Sequence, residues 1–374
     1  VAFGGMLALA AGMGIGRFVY TPILPFMEAA LDLSKTDAGL IASANFLGYL
    51  IGALLTALFP TRMSKRSWLI LSLFLSALTT ASMGLTTSLL FFIVIRFVGG
   101  LASAVMLVFG SALVLDRLAA AGRPGFSALH FGGVGLGITL SAVIVASFAA
   151  TGSGWENLWL ASGIISLVLL LGVMGMIPAS PEKPFESKDL ETGGLNSLLL
   201  RLIVAYGLFG FGYVITATFI STIVRDSPAL QPVEPVVWTA VGLAAIPSVY
   251  FWSRVGQKLG NDRSFALACL VEALGVTLTV TSENTLLLVT GAIFLGGTFM
   301  GITALGLIEA RRLSRGDPRK VLGWMTLAFG TGQMIGPLFA GFLFQLTQSL
   351  FLPSLVATGC LVIAAILSFK LQYS

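Results

Sequence analysis

Arg17 stands near the middle of an apolar stretch, with Tyr20 and Thr21 three and four residues further on and so on the same face of a helix. A cation at membrane depth costs about 3 kcal/mol or more unless it faces protein or water. Its planar fork of donors suits a carboxylate. The chemistry on offer is therefore the binding of an anion or pairing with a buried acid. The plainer alternative is a structural arginine that holds its helix through backbone carbonyls. Arg96, eight residues into a later apolar stretch, poses the same choice. His130, the only histidine, titrates near neutrality and suits a proton step, although a lone histidine near a helix end is also a common cap. Glu272 and Glu309 are carboxylates inside apolar stretches, able to titrate, to neutralise an arginine or, for Glu309, to pair with Arg311 or Arg312 as part of a gate. Asn45, Tyr49, Tyr213, Thr216, Tyr250 and Gln333 are polar side chains at the same depth. Interhelical hydrogen bonds and contact with a small solute explain each of them equally well.

Nothing in the chain has the spacing of an enzyme site. There is no H-E-x-x-H, G-x-S-x-G, Walker A or paired-carboxylate arrangement, and Cys269 and Cys360 lie in apolar stretches away from any metal-ligating pattern. No cofactor and no metal are expected, and the chain reads as a non-enzyme.

The elements that must position these side chains follow from composition. Hydrophobic residues make up 56% of the 374 residues and charged ones 10%, with mean hydropathy +0.97, whereas a soluble domain carries about 25% charged residues. Apolar stretches long enough to cross a bilayer recur from end to end. Their bounds read as 1–27, 38–59, 67–84, 88–115, 125–149, 155–177, 198–223, 236–253, 264–281, 285–309, 321–346 and 350–371. They lack the ten-residue alternation of barrel strands, so the fold is an all-α membrane protein of twelve transmembrane helices. The first stretch holds Arg17, Pro22 and Pro25 and no A-x-A cleavage pattern, and it reads as a first span trimmed at its start rather than a signal peptide.

The formal charge of +5 does not point to nucleic acid, because the basic residues sit in short connections between spans. With the N-terminus cytoplasmic, 17 of the 21 Lys and Arg fall on that side, and only Lys35 and Arg225 fall on the other. Both termini are therefore expected in the cytoplasm. The six tryptophans lie near span ends, as an interfacial belt would place them. The polar segment Pro178 to Asn196 reads as a cytoplasmic linker between halves 1–177 and 198–374.

Self-similarity supports that division. Gly14-Ile15-Gly16 recurs as Gly210-Phe211-Gly212, Arg66-Ser67-Trp68 as Arg263-Ser264-Phe265, Phe97-Val98-Gly99-Gly100 as Phe294-Leu295-Gly296-Gly297, and Gly133/Gly135 as Gly330/Gly332. One nearly constant offset across four places implies two parallel six-span repeats. Tyr213 occupies the position equivalent to Arg17, so the arginine is not duplicated. Glycines four apart (Gly12/Gly16, Gly48/Gly52, Gly133/Gly137, Gly332/Gly336) make smooth faces for close packing or for sliding, and Pro22, Pro25, Pro247 and Pro337 offer bend points.

The run Gly14-Ile-Gly-Arg-Phe-Val-Tyr-Thr-Pro-Ile-Leu-Pro25 resembles the first-span signature of the YbfB/YjiJ branch of the major facilitator superfamily, and Phe92 to Ala104, with Arg96 and Gly100, resembles that superfamily's fourth-span arginine motif. Pro60 to Arg66 keeps only the basic character of the loop motif that should follow span 2. Gly332 to Pro337 resembles the glycine-proline antiporter motif, but that motif belongs in span 5. The resemblance implies two pseudo-symmetric six-helix bundles and a secondary transporter that alternates access to a central site, proton-coupled in the manner of the superfamily. It places a small-molecule substrate, an organic anion if Arg17 and Arg96 stay unneutralised, at Arg17, Tyr20, Asn45, Tyr49, Arg96, Tyr213, Tyr250 and Gln333. Proton coupling would fall to His130, Glu309 or Glu272. A monomer in the inner membrane is implied, in contact with the lipid bilayer. Multidrug or metabolite efflux, and a channel-like or receptor-like protein, are the alternatives.

Overall fold

The computed structural model describes residues 1–58, 63–179, 196–281, 283–314 and 318–369. Twelve helices in them are long and apolar enough to cross a membrane. Spans 1 to 6 are Ala2–Leu31, Lys35–Ala57, Lys65–Leu85, Leu89–Ala120, Ser127–Ala149 and Trp155–Met176; spans 7 to 12 are Ser197–Asp226, Gln231–Leu259, Asn261–Thr281, Thr285–Leu313, Lys320–Thr347 and Phe351–Ser368. Each expected stretch is found, usually extended by a few polar residues at its ends. Residues 180–195 of the expected linker lie outside the described residues.

Span 1 is interrupted where its sequence says it should be. Ala10–Ile15 forms a π-helical turn, and a break at Val19 precedes the helix Tyr20–Leu31. Pro22 has no N–H for the Phe18 carbonyl, and Pro25 has none for that of Thr21, so regular pairing fails just before the break. Four of the six residues of the widened turn are alanine or glycine, and the turn ends two residues before Arg17.

Packing repeats with a six-span offset. Spans 2 and 4, 3 and 4, 3 and 6, and 1 and 5 pack in the first unit, as spans 8 and 10, 9 and 10, 9 and 12, and 7 and 11 do in the second. The units meet along span 2 against span 11 and span 5 against span 8. A side chain on Gly14 would collide with the backbone of Gly137, so the close crossing of spans 1 and 5 requires glycine on both. The four glycine pairs spaced four apart all pack inside a unit, Gly12 and Gly16 against the side chains of Met106, Leu73 and Ser76 and the other three pairs at least partly against helix backbone. Other glycines line the seams between units: Gly39 and Gly341 where spans 2 and 11 meet, Gly135 and Gly242 where spans 5 and 8 meet. The Trp238 indole N–H donates across the second seam to Ser141 Oγ at 3.0 Å.

The end of the bundle that carries the connections between spans 1 and 2 and between spans 7 and 8, here the distal end, is closed by polar links between units. Thr21 Oγ1 donates to the Ala217 carbonyl at 2.6 Å, and Thr222 Oγ1 donates to Glu28 Oε2 at 3.0 Å. Lys35 Nζ lies 3.0 Å from Glu28 and 3.2 Å from Asp226, while Arg225, paired with Glu234 at 2.8 Å, stacks on the Phe26 ring at 3.7 Å. The tryptophan belt is a correction. Trp155, Trp159, Trp238 and Trp252 are buried in helix packing, because they sit on inward faces, and Trp324 alone is largely exposed.

Candidate functional site

Arg17 extends from the segment just after the π turn and is only 3% exposed. Its Nη2 donates at 2.7 Å to Oε1 of Gln333 in span 11, across the boundary between units. Gln333 Nε2 donates in turn to the Tyr213 hydroxyl of span 7, a short contact. Arg17 is thereby linked to the residue at its own repeat-equivalent position. Its guanidinium carbon lies 4.4 Å from the ring centre of Tyr49, 4.6 Å from Phe46 and 5.6 Å from Phe18. Cation–π contacts of this kind contribute about 2 kcal/mol or more when desolvated, which offsets part of the cost of burying the charge. On the other side, Tyr213 lies nearly parallel to Phe299 (5.7 Å, 9°) and to Phe329 (5.9 Å, 7°), and Phe299 meets Phe18 across the units at 6.1 Å.

The surroundings of Arg17 are aromatic and its side-chain partner is an amide, so the expected alternative of pairing with a buried acid is not what is found among the described residues. No carboxylate among the described residues forms an ion pair with it. Its Nε is buried without a hydrogen-bond acceptor among the described residues.

Arg96, 4% exposed, works differently. Nη1 and Nη2 donate to the carbonyls of Gly16 and Arg17 at 3.1 and 3.0 Å, and the guanidinium lies beside the rings of Tyr20 at 5.1 Å and Trp159 at 6.0 Å. It clamps the irregular part of span 1, the structural alternative named above. Tyr20 belongs to this group and donates its hydroxyl to the Ala38 carbonyl at 2.9 Å. Asn45 donates Nδ2 to the Arg96 carbonyl at 2.9 Å and joins spans 2 and 4. Of the eight expected solute contacts, Arg17, Tyr49, Tyr213 and Gln333 converge, while Tyr20, Asn45 and Arg96 form a layer behind them. Tyr250 does not join either group. It is 55% exposed, stacks on Arg254 at 5.2 Å and lines, with Arg123, Phe126 and Ile246, a groove of about 690 Å³ between spans 5 and 8 at the end opposite the distal one, apart from Arg17.

The three proton candidates lie apart from Arg17. His130 is buried, with Nε2 3.0 Å from Ser111 Oγ, wedged beside Gly5 of span 1. Glu309 is buried and gripped by Arg312, at 2.9 and 3.1 Å through Nε and 2.5 Å through Nη2, which resolves the choice between Arg311 and Arg312. Glu272 is fully buried in span 9, and neither carboxyl oxygen has a hydrogen-bond partner among the described residues. Phe18, Phe46, Phe299 and Phe329 are site residues that a search for polar groups passes over. The signal was present in part, since Phe46 and Tyr49 are three apart and share a helix face with each other.

A twelve-helix bundle of two repeated units, joined at mid-depth by a buried arginine, defines a membrane carrier of the major facilitator class. The chain matches the family described as "Uncharacterised MFS-type transporter YbfB" over residues 9–369, and it belongs to that family. It is 22% identical over 267 residues to the uncharacterised MFS-type transporter YtbD of Bacillus subtilis (strain 168), an alignment spanning 70% of this chain and 66% of that protein. It is 25% identical to a chloramphenicol resistance protein of Streptomyces lividans, over 97% of this chain and 94% of the relative. Among solved structures, a mutant of the nucleoside transporter NupG superposes with a TM-score of 0.78 over the whole of both chains at 15% identity, a likeness of fold. The twelve-span, all-helical, major facilitator reading of the sequence is thus shown.

Proposed function

We propose that this carrier moves a small organic anion by alternating access, with Arg17 as the anchor for the anion between the two units. The observation that carries the proposal is the bridge from Arg17 through Gln333 to Tyr213. A cation that joins both halves through exchangeable side-chain bonds gives a solute a direct means of biasing how the halves sit, which is what a carrier needs. The units correspond to residues 1–177 and 198–374, with the connecting segment and both termini cytoplasmic in the inner membrane, as the distribution of Lys and Arg supports. The distal links among Glu28, Lys35, Thr222 and Asp226 then close the outer side, and rocking along the glycine seams of spans 2/11 and 5/8 opens it. Among the three candidates for proton coupling, Glu272 is the one whose carboxyl oxygens no described donor holds.

Counterflow in proteoliposomes loaded with a mixture of small organic anions, cations and neutral solutes tests this reading. Saturable, trans-stimulated exchange of an anion is expected, enhanced by an imposed pH gradient. Non-saturable flux, which marks a channel, or exchange confined to cations would refute it.

A further inference from the structure

We propose that the solute is an aromatic carboxylate, whose carboxyl group takes the Nε–Nη2 edge of Arg17 and whose ring joins the aromatic side chains around Tyr213. The inference rests on the Arg17 bridge being the binding site and narrows what that site accepts.

The argument begins with the arginine's own geometry. The N–H bonds of Nε and Nη2 lie side by side on one edge of a guanidinium, at a spacing that matches the two oxygens of a carboxylate. In Arg17, Nη2 donates to Gln333 Oε1 at 2.7 Å, while Nε is buried and has no acceptor among the described residues. An amide has a single oxygen, so Gln333 satisfies one donor and leaves the other. A carboxylate satisfies both. It also brings the negative charge that no described residue supplies, and an orphaned buried donor on a charged group costs about 1–3 kcal/mol until something fills it. The rings of Phe46 and Tyr49 lie against the guanidinium at 4.6 and 4.4 Å, so the edge is the approach that remains.

The shape of the rest of the molecule follows from where Gln333 leads. Its amide nitrogen donates to the Tyr213 hydroxyl, so a group that takes the place of the amide at Arg17 lies beside that hydroxyl, at the edge of the Tyr213 ring. That ring already lies parallel to Phe299 and Phe329, and Phe18 meets Phe299 edge-on from the other unit. A planar aromatic body gains about 0.5–1.5 kcal/mol for each ring it packs against, beyond its buried area. A short aliphatic acid has neither the area nor the quadrupole, and a cation would be repelled by Arg17.

The test uses the full chain in proteoliposomes, with labelled benzoate as the exchanged probe and benzamide, cyclohexanecarboxylate, acetate and uridine as competitors. Benzoate is expected to exchange, and cyclohexanecarboxylate and benzamide are expected to need about tenfold higher concentrations or more to compete, a difference of about 1.4 kcal/mol. Gln333→Glu is the decisive variant. It places a carboxylate on the edge from within the protein and should weaken benzoate exchange by at least about tenfold without loss of thermal stability, whereas Gln333→Ala should weaken it far less. If cyclohexanecarboxylate competes as well as benzoate, or if acetate exchanges and benzoate does not, the aromatic assignment is overturned while the anion reading stands. Equal competition by benzamide or uridine overturns both. Unchanged benzoate exchange in Gln333→Glu overturns the assignment of the Arg17 edge.

Discussion

Arg17 and Arg96 are the same residue type at similar depth, 3% and 4% exposed, and they touch consecutive stretches of the same helix, yet their surroundings differ in kind. Arg96 gives its terminal nitrogens to two backbone carbonyls of its own unit. Arg17 gives one to a side-chain amide of the other unit, and in both arginines Nε is buried without an acceptor among the described residues. A backbone carbonyl in a packed helix cannot turn away, but a glutamine side chain can rotate and release its donor. Burial and charge are alike in the two arginines, and the acceptor is what differs, which is the ground on which Arg17 rather than Arg96 is proposed as the anchor for a solute.

The largest effect that would sharpen the contrast is expected for Arg17→Ala. Loss of charge-assisted bonds of about 3 kcal/mol should lower transport about 100-fold or more. The melting temperature in detergent should stay close to that of the parent, and a collapse of stability with this change would erase the distinction. Arg96→Ala should do the reverse, lowering yield and melting temperature first, because it strips donors from the Gly16 and Arg17 carbonyls where span 1 is already irregular. An Arg96→Ala protein that melts like the parent but does not transport would make the two arginines functional equals.

A smaller effect is expected at the distal end, where Lys35 bridges Glu28 and Asp226. Lys35→Ala removes partly exposed pairs of about 1 kcal/mol, enough to shift the balance between closed and open forms about fivefold. Maleimide labelling of a Thr218→Cys reporter, in a background lacking Cys269 and Cys360, should accelerate by that order. An unchanged rate would show that the hydrogen bonds of Thr21 and Thr222 hold this end without the ion pairs. The smallest effect should come from Tyr250→Phe, which alters an exposed ring in the groove between spans 5 and 8, away from Arg17, and should change transport less than about twofold. A large loss there would return Tyr250 to the site.

Composition and spacing by themselves determined that twelve helices cross a membrane, that they come as two repeats, and that Arg17 demands an explanation. These are local properties: hydropathy along a helix-length window, a recurrent offset, and the cost of one cation at one depth. The break in span 1 was equally legible, because a proline removes a backbone donor wherever it stands. Only the tertiary structure decided who answers each demand. Gln333 lies 316 residues from Arg17, and nothing in either segment announces the other. The aromatic wall of Phe18, Phe46, Phe299 and Phe329 was hidden because phenylalanine in a membrane helix reads the same whether it faces lipid or solute. Tyr250 was placed inward for the converse reason. A polar tip at membrane depth suggests an interior face, but which face a helix turns to its neighbours is fixed by how all twelve pack. The glycines divided in the same way, those spaced four apart sealing each unit and others, with no periodic mark, lining the seams between the units.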